Sequence, residues 1–123
     1  PLRVKDDIDN AIVYFIENKV DSLFSSVEAP DLFLWEKVDD TLFSTNHTWV
    51  SRERRQDRDK QLIENGSIYI FKPHIILEFH NRLGGKIGNY MMEPWTMWEI
   101  DEVKDLDIIK FYLKGNEGKS SLF

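Results

Sequence analysis

The sequence predicts an α/β fold. Three observations carry it: an amphipathic helical period near the N-terminus with an apolar strand directly after it, a long apolar run over 62–71 leading into Pro73, and a closing helical period after residue 101. The chain has 123 residues, enough for one domain with a real core and too few for two.

Taken in order, the elements are as follows. From about Lys5 to Lys19, Ile8, Ala11, Ile12, Phe15 and Ile16 share one helical face, with Asp9, Asn10 and Glu17 opposite. Ser22 to Val27 reads as a short strand through Leu23, Phe24 and Val27. Ala29 to Thr48 reads as a hairpin or arm, its apolar run Leu32–Trp35 separated from Leu42-Phe43 by a turn at Asp39-Asp40. That arm carries more apolar surface than its polar residues can cover, which is the mark of a partner surface. A mixed-charge stretch follows over 52–60. Leu62 to Phe71 is a strand, and Pro73 is placed to open a helix over Ile75 to Phe79. Gly84-Gly85 marks a turn. Ile87 to Met92 and Trp95 to Ile100 are strand candidates, and Asp101 to Leu113 is a helix with its stripe at Val103, Leu106, Ile109 and Leu113. The tail from Gly115 is expected to fray.

Composition narrows the function classes. A net charge of −6 excludes general affinity for nucleic acid or an anionic membrane surface, while leaving room for one anion held by local arginines. Cysteine is absent, which removes disulfides, thiolate metal sites and thiol catalysis and makes the cytoplasm the default compartment. No apolar run has the length of a membrane span and no signal peptide opens the chain. Asn46-His47-Thr48 and Asn65-Gly66-Ser67 match the glycosylation triplet by chance on this reading. His47, His74 and His80 lack ligand spacing, and Trp35, Trp49, Trp95 and Trp98 are read as core and interface. Gly84-Gly85-Lys86 and Gly118-Lys119-Ser120 are turns, without the spacing of a phosphate loop.

Three segments have residue types suited to chemistry, each beside a plainer reading. In Glu99-Ile100-Asp101, strand alternation would aim both carboxylates one way, and hard oxygens in that arrangement suit Mg²⁺; equally, Asp101 is placed to be the N-cap of the last helix. The stretch 52–58, with Arg52, Arg54, Arg55 and Arg58, has guanidinium forks for a carboxylate or phosphate, or is a self-neutralising loop. Asn65-Gly66 is either a hairpin turn or a place where glycine admits a ligand close to the backbone.

In order along the chain, these segments resemble the acylneuraminate cytidylyltransferases (CMP-sialic acid synthetases). Pro1-Leu2-Arg3 with the following Asp6-Asp7-Ile8-Asp9 resembles the end of the family's Gln-Pro-Thr-Ser-Pro-Leu-Arg motif and the helix after it. Arg54-Arg55-Gln56-Asp57 resembles its Arg-Gln-Asp segment, Glu64-Asn65-Gly66-Ser67-Ile68-Tyr69-Ile70 its Asn-Gly-x-x-Tyr strand, and Glu99-Ile100-Asp101 its late acidic pair, where the family often has Asp in place of Glu99.

The resemblance implies a Rossmann-like nucleotidyltransferase sheet lacking its N-terminal strands, with residues 1–123 as the C-terminal part of one cytidylyltransferase domain and 29–60 as a protruding dimerisation arm. It implies transfer of CMP from CTP to a sialic-acid-type nine-carbon sugar acid with release of pyrophosphate, in a cytoplasmic homodimer. It implies Mg²⁺ held by Asp101 with Glu99, Asp101 and Arg55 as catalytic residues, and Arg3, Arg55, Gln56, Asn65, Gly66 and Tyr69 as the substrate-binding set. The family's glycine- and lysine-rich nucleotide loop has no counterpart in this sequence, so the chain alone is expected to bind CTP poorly and to turn over nothing. A non-catalytic module that keeps only core and arm is the competing expectation.

Overall fold

The computed structural model describes residues 1–51 and 53–116. The described elements are α1 (Asp7–Glu17), β1 (Ser22–Glu28), β2 (Trp35–Val38), β3 (Thr41–Ser44), β4 (Leu62–Phe71), α2 (Pro73–Phe79), β5 (Ile87–Met91) and α3 (Asp105–Asn116), with 3-10 turns at Arg55–Asp57 and Pro94–Met97. The described residues form two compact units, 1–27 with those from 62 onward, and those within 28–61.

The first unit is an α/β layer. Its three strands lie in the order β4-β1-β5, with β1 and β5 parallel in the register Ser22↔Ile87 to Ser26↔Met91. β1 is the central strand and is buried on both faces, as its run of Leu23, Ser25, Ser26 and Val27 requires. The core gathers Ala11, Val20, Leu23, Val27, Ile68 and Met92, with Tyr14, Phe15 and Tyr90 packed around it.

Helix α1 begins where Asp7 turns its carboxylate back to accept the Val4 N–H at 2.7 Å. It faces the sheet with Ala11, Tyr14 and Phe15. Ile8, Ile12 and Ile16, expected on the same inward face, stay outside at 42–66% exposure. The sheet meets the helix along its narrower Ala11 side, and among the described residues nothing covers the isoleucine stripe.

β4 spans the predicted Leu62–Phe71, and Asn65-Gly66 lies in its middle and forms no hairpin. Gly66 has φ +64° and inserts one extra residue into the alternation. Before it Ile63 and Asn65 point inward, and after it Ile68 and Ile70 do. Pro73 opens α2 as expected. Gly85, at φ +62°, turns the chain so that the Lys86 N–H reaches the Asp21 carboxylate at 2.9 Å and the Asp21 N–H reaches the Lys86 carbonyl at 2.8 Å.

Two expectations for the last third need correcting. Trp95 to Ile100 is no strand: Pro94 begins a 3-10 turn, closed by the Thr96 N–H and hydroxyl, both on the Glu93 carbonyl, and residues 98–100 run on as loop. α3 starts at Asp105 and not at Asp101. The Asp105 carboxylate reaches back to accept the N–H groups of Asp101 and Glu102, so Asp101 lies in the turn before the helix and is not its N-cap. Ile109 is buried, while Val103 lies before the helix and is exposed. Gly118-Lys119-Ser120 and the tail beyond Asn116 lie outside the described residues.

The second unit holds an antiparallel hairpin, Trp35↔Ser44 to Val38↔Thr41, closed by Asp39 (φ +53°) and Asp40. The Asn46 side chain ties its base, accepting the Leu34 N–H at 2.8 Å and donating to the Leu32 carbonyl at 2.8 Å. Arg58 is the hub beneath. Its side chain is 9% exposed, donates to Asp31 and the Asn46 carbonyl, and lies 4.5 Å from the Phe33 ring centre. His47 sits edge-on to Phe33 and Trp35, a structural role. Leu34, Trp35, Leu42, Phe43 and Trp49 are exposed, so the tryptophans assigned in part to a core are not in one; Trp98 is exposed too, and Trp95 is half-buried.

Candidate functional site

The residues singled out by sequence come together in part. Leu2 is buried and anchors the N-terminal segment, so that Arg3 donates from Nη1 to the Ser67 carbonyl at 3.0 Å. Arg3, Gly66, Thr96, Trp98 and Glu99 then line a cavity of about 320 Å3, with Asn65 in its wall.

Gly66 is central to that cavity. A Cβ there would stand 2.5 Å from Glu99 Oε1, so the absent side chain is the seat of the Glu99 carboxylate. Asn65, beside it, is 3% exposed and commits its amide inward. Its Oδ1 accepts from Ser25 Oγ at 2.6 Å, and its Nδ2 donates to Thr96 Oγ1 at 3.0 Å. Ser25 Oγ in turn accepts the Ile68 N–H at 2.8 Å. This network fixes both sides of the bulge, which is why the cavity keeps its shape. It also explains why the Asn65 amide can serve the site only by supporting it.

Tyr69 follows on the outward face of β4, two residues beyond Ser67. Its hydroxyl donates to the Glu64 carboxylate, and the Arg82 guanidinium lies 3.7 Å from its ring centre. Burial raises the Tyr69 hydroxyl above its ordinary value, the Glu64 and Glu99 carboxylates add to the rise, and Arg82 opposes it. Arg82 had no sequence signal beyond being a lone cation before a glycine turn. Ser25 and Thr96, which shape the site from beneath, were equally invisible, because their partners lie 40 and 31 residues from them.

The remaining candidates are placed differently. Asp101 is exposed on the loop after Glu99, its N–H held by Asp105 at 3.0 Å. The two backbone N–H bonds, from Glu102 and Asp101, hold the Asp105 carboxyl below its ordinary 3.8. Strand alternation therefore cannot be what aligns Glu99 with Asp101. Gln56 belongs to the second unit, where it lines a cavity of about 180 Å3 with Asp31, Arg58 and Lys60. Arg55 opens the 3-10 turn of that unit, and its side chain, like Arg52, lies outside what the structure describes.

Among the described residues no group of three or more carboxylate or imidazole side chains is set to hold a metal alone. Mg²⁺ asks for less, taking one or two protein carboxylates and completing its shell with water and phosphate oxygens. Glu99, seated on Gly66, fits that demand, with Asp101 two residues on. No helix among the described residues is long and apolar enough to cross a membrane.

No protein-family model matches the chain. It is similar, at 32% identity over 117 residues, to the Post-translational flagellin modification protein B of Campylobacter coli. The match takes in 93% of this chain and 49% of that protein, so the chain spans about half the length of the curated relative it matches.

Proposed function

We propose that the chain is part of a cytidylyltransferase that transfers CMP from CTP to a nine-carbon sugar acid and releases pyrophosphate. The observation that carries this reading is the meeting of Arg3, Gly66 and Glu99 in one cavity, from three of the segments that resemble the family. The similarity to a protein named for post-translational modification of flagellin agrees with this reading.

In the reaction the anomeric hydroxyl oxygen of the sugar bonds to the α-phosphorus, the bond from that phosphorus to the bridging oxygen breaks, and the hydroxyl proton is lost. Such chemistry asks the protein for position and electrostatics. Arg3 and Arg55 would hold the anionic groups, the fork of each guanidinium matching two oxygens of a carboxylate or phosphate. Gly66 lets the substrate come close to the β4 backbone, while Tyr69 shapes the sugar pocket and Asn65 supports its wall; Gln56 would serve as a sugar contact on the other unit. Glu99 and Asp101 would hold Mg²⁺, which when bound neutralises charge on the phosphates.

The exposed apolar residues of 28–61 favour assembly through that unit, and we assign it as the dimerisation arm of a homodimer. They are also the observation that favours the second reading, a non-catalytic module that dimerises and ignores CTP.

The test is mass-spectrometric detection of CMP-sugar from CTP, Mg²⁺ and a panel of nine-carbon sugar acids, using the full-length protein that contains this chain. Product with one acid, and its loss in Asp101→Asn with CTP affinity kept, is the expected result. A stable dimer that yields no product with any acid and does not bind CTP establishes the second reading.

A further inference from the structure

We propose that Arg82 is a second oxyanion-binding residue of this site, held ready by the Tyr69 ring. The proposal rests on the transferase reading and extends it to a residue that the resemblance does not include.

Three observations lead to it. First, the Arg82 Cζ lies over the Tyr69 ring, 3.7 Å from its centre, so the guanidinium is held by a cation–π contact. The structure gives Arg82 neither an ion pair nor a hydrogen bond among the described residues. A guanidinium held against a ring with its N–H donors still available has already lost part of the freedom that binding would remove.

Second, the Tyr69 platform is itself braced. The Tyr69 hydroxyl is tied to Glu64 on the same strand, and Ser67, the preceding residue on that face, lies in the cavity lined by Arg3 and Glu99. Arg82 therefore stands on the face of β4 that carries the cavity, one strand position further along.

Third, the surroundings are open enough for a ligand. Arg82 and Asn81 border a concavity of about 600 Å3 with Ile76 and His80, and the His80 backbone turns there in the left-handed region at φ +50°.

Together these features describe a receptor for one planar or tetrahedral oxyanion, bound by paired N–H donors. The sugar acid supplies a carboxylate, and CTP or pyrophosphate supplies phosphate oxygens.

Calorimetric titration of the full-length protein that contains this chain with N-acetylneuraminic acid, its methyl ester, CTP and inorganic pyrophosphate separates the two sources. Arg82→Gln is expected to weaken the free acid or the phosphates by roughly 10- to 100-fold, the loss typical of a charged hydrogen bond. A loss on the acid that leaves the ester unchanged assigns Arg82 to the carboxylate. A loss on CTP and pyrophosphate assigns it to phosphate. Arg82→Lys, which keeps the charge without the planar fork, is expected to fall between wild type and Arg82→Gln, with an unchanged melting temperature for both variants. Affinities left intact by Arg82→Gln but lost in Arg3→Gln overturn the role of Arg82 and leave the transferase reading standing. A wild-type full-length protein that binds none of the four overturns both.

Discussion

The Glu99 carboxylate occupies the space where Gly66 would carry a side chain, with Oε1 2.5 Å from the Cβ position. The contact joins two segments 33 residues apart and makes the glycine a condition for the placement of the acid. Gly66 also holds φ +64°, a conformation that costs an L side chain about 1–2 kcal/mol.

Gly66→Ala should therefore lower stability in urea by about 1–2 kcal/mol from the backbone alone. It should also drive the Glu99 side chain out of the cavity. In a Glu99→Ala background the same substitution keeps the backbone cost and loses the steric one. Equal effects of Gly66→Ala in both backgrounds would show that Glu99 does not rest there.

Asn65→Leu should cost about 1–3 kcal/mol, because the Ser25 hydroxyl and the Ser67 N–H lose their buried acceptor. With Ser25→Ala added, the two losses should sum to clearly more than the double variant shows, since both remove one interaction. Strict additivity in a double-mutant cycle would mean that the 2.6 Å bond contributes nothing.

Arg58→Lys keeps a charge opposite Asp31 but gives up the fork to the Asn46 carbonyl and the stacking on Phe33. Amide exchange in 32–46 should quicken about tenfold or more while that of β1 and β5 holds steady. Faster exchange in both units would show that Arg58 supports more than its own.

Acid should loosen two places first. Asp21 is held below its ordinary 3.8 by the Lys72 ammonium and the Lys86 N–H, and Asp105 by the N–H groups of Glu102 and Asp101. A carboxyl lowered in the folded state adds stability that is complete above the unfolded value and fades as pH falls through the folded one. Asp105→Asn should thus lower stability at pH 7 and flatten its decline below pH 4. A decline as steep as wild type would remove Asp105 from the acid response.

Much of the fold was legible because it is local. The run Leu62–Phe71, Pro73 and the Asp39-Asp40 turn each declare their element in a few residues. Trp95–Ile100 misled because its apolar content outweighed Pro94, and the last helix because Asp101 and Asp105 both have the chemistry of a cap. The site was legible as segments and not as an assembly. Arg3, Gly66 and Glu99 could be named in order, but nothing in the spacing says that Glu99 sits on Gly66 or that Arg82 lies over Tyr69. The bulge was hidden too, since Asn-Gly between strand-like flanks signals a turn far more strongly than an extra residue within one strand.

That bulge also shields the molecule from its own kind. β4 is an outer strand in the sheet described, ten residues long, and an uninterrupted rim of that length is an invitation to pair with a strand from another molecule. The left-handed step at Gly66 breaks the row of N–H and C=O groups near its midpoint and leaves two short stretches out of step with each other. The irregularity that seats an acidic side chain thereby guards against edge-to-edge aggregation, and a regular strand restored there would lose both.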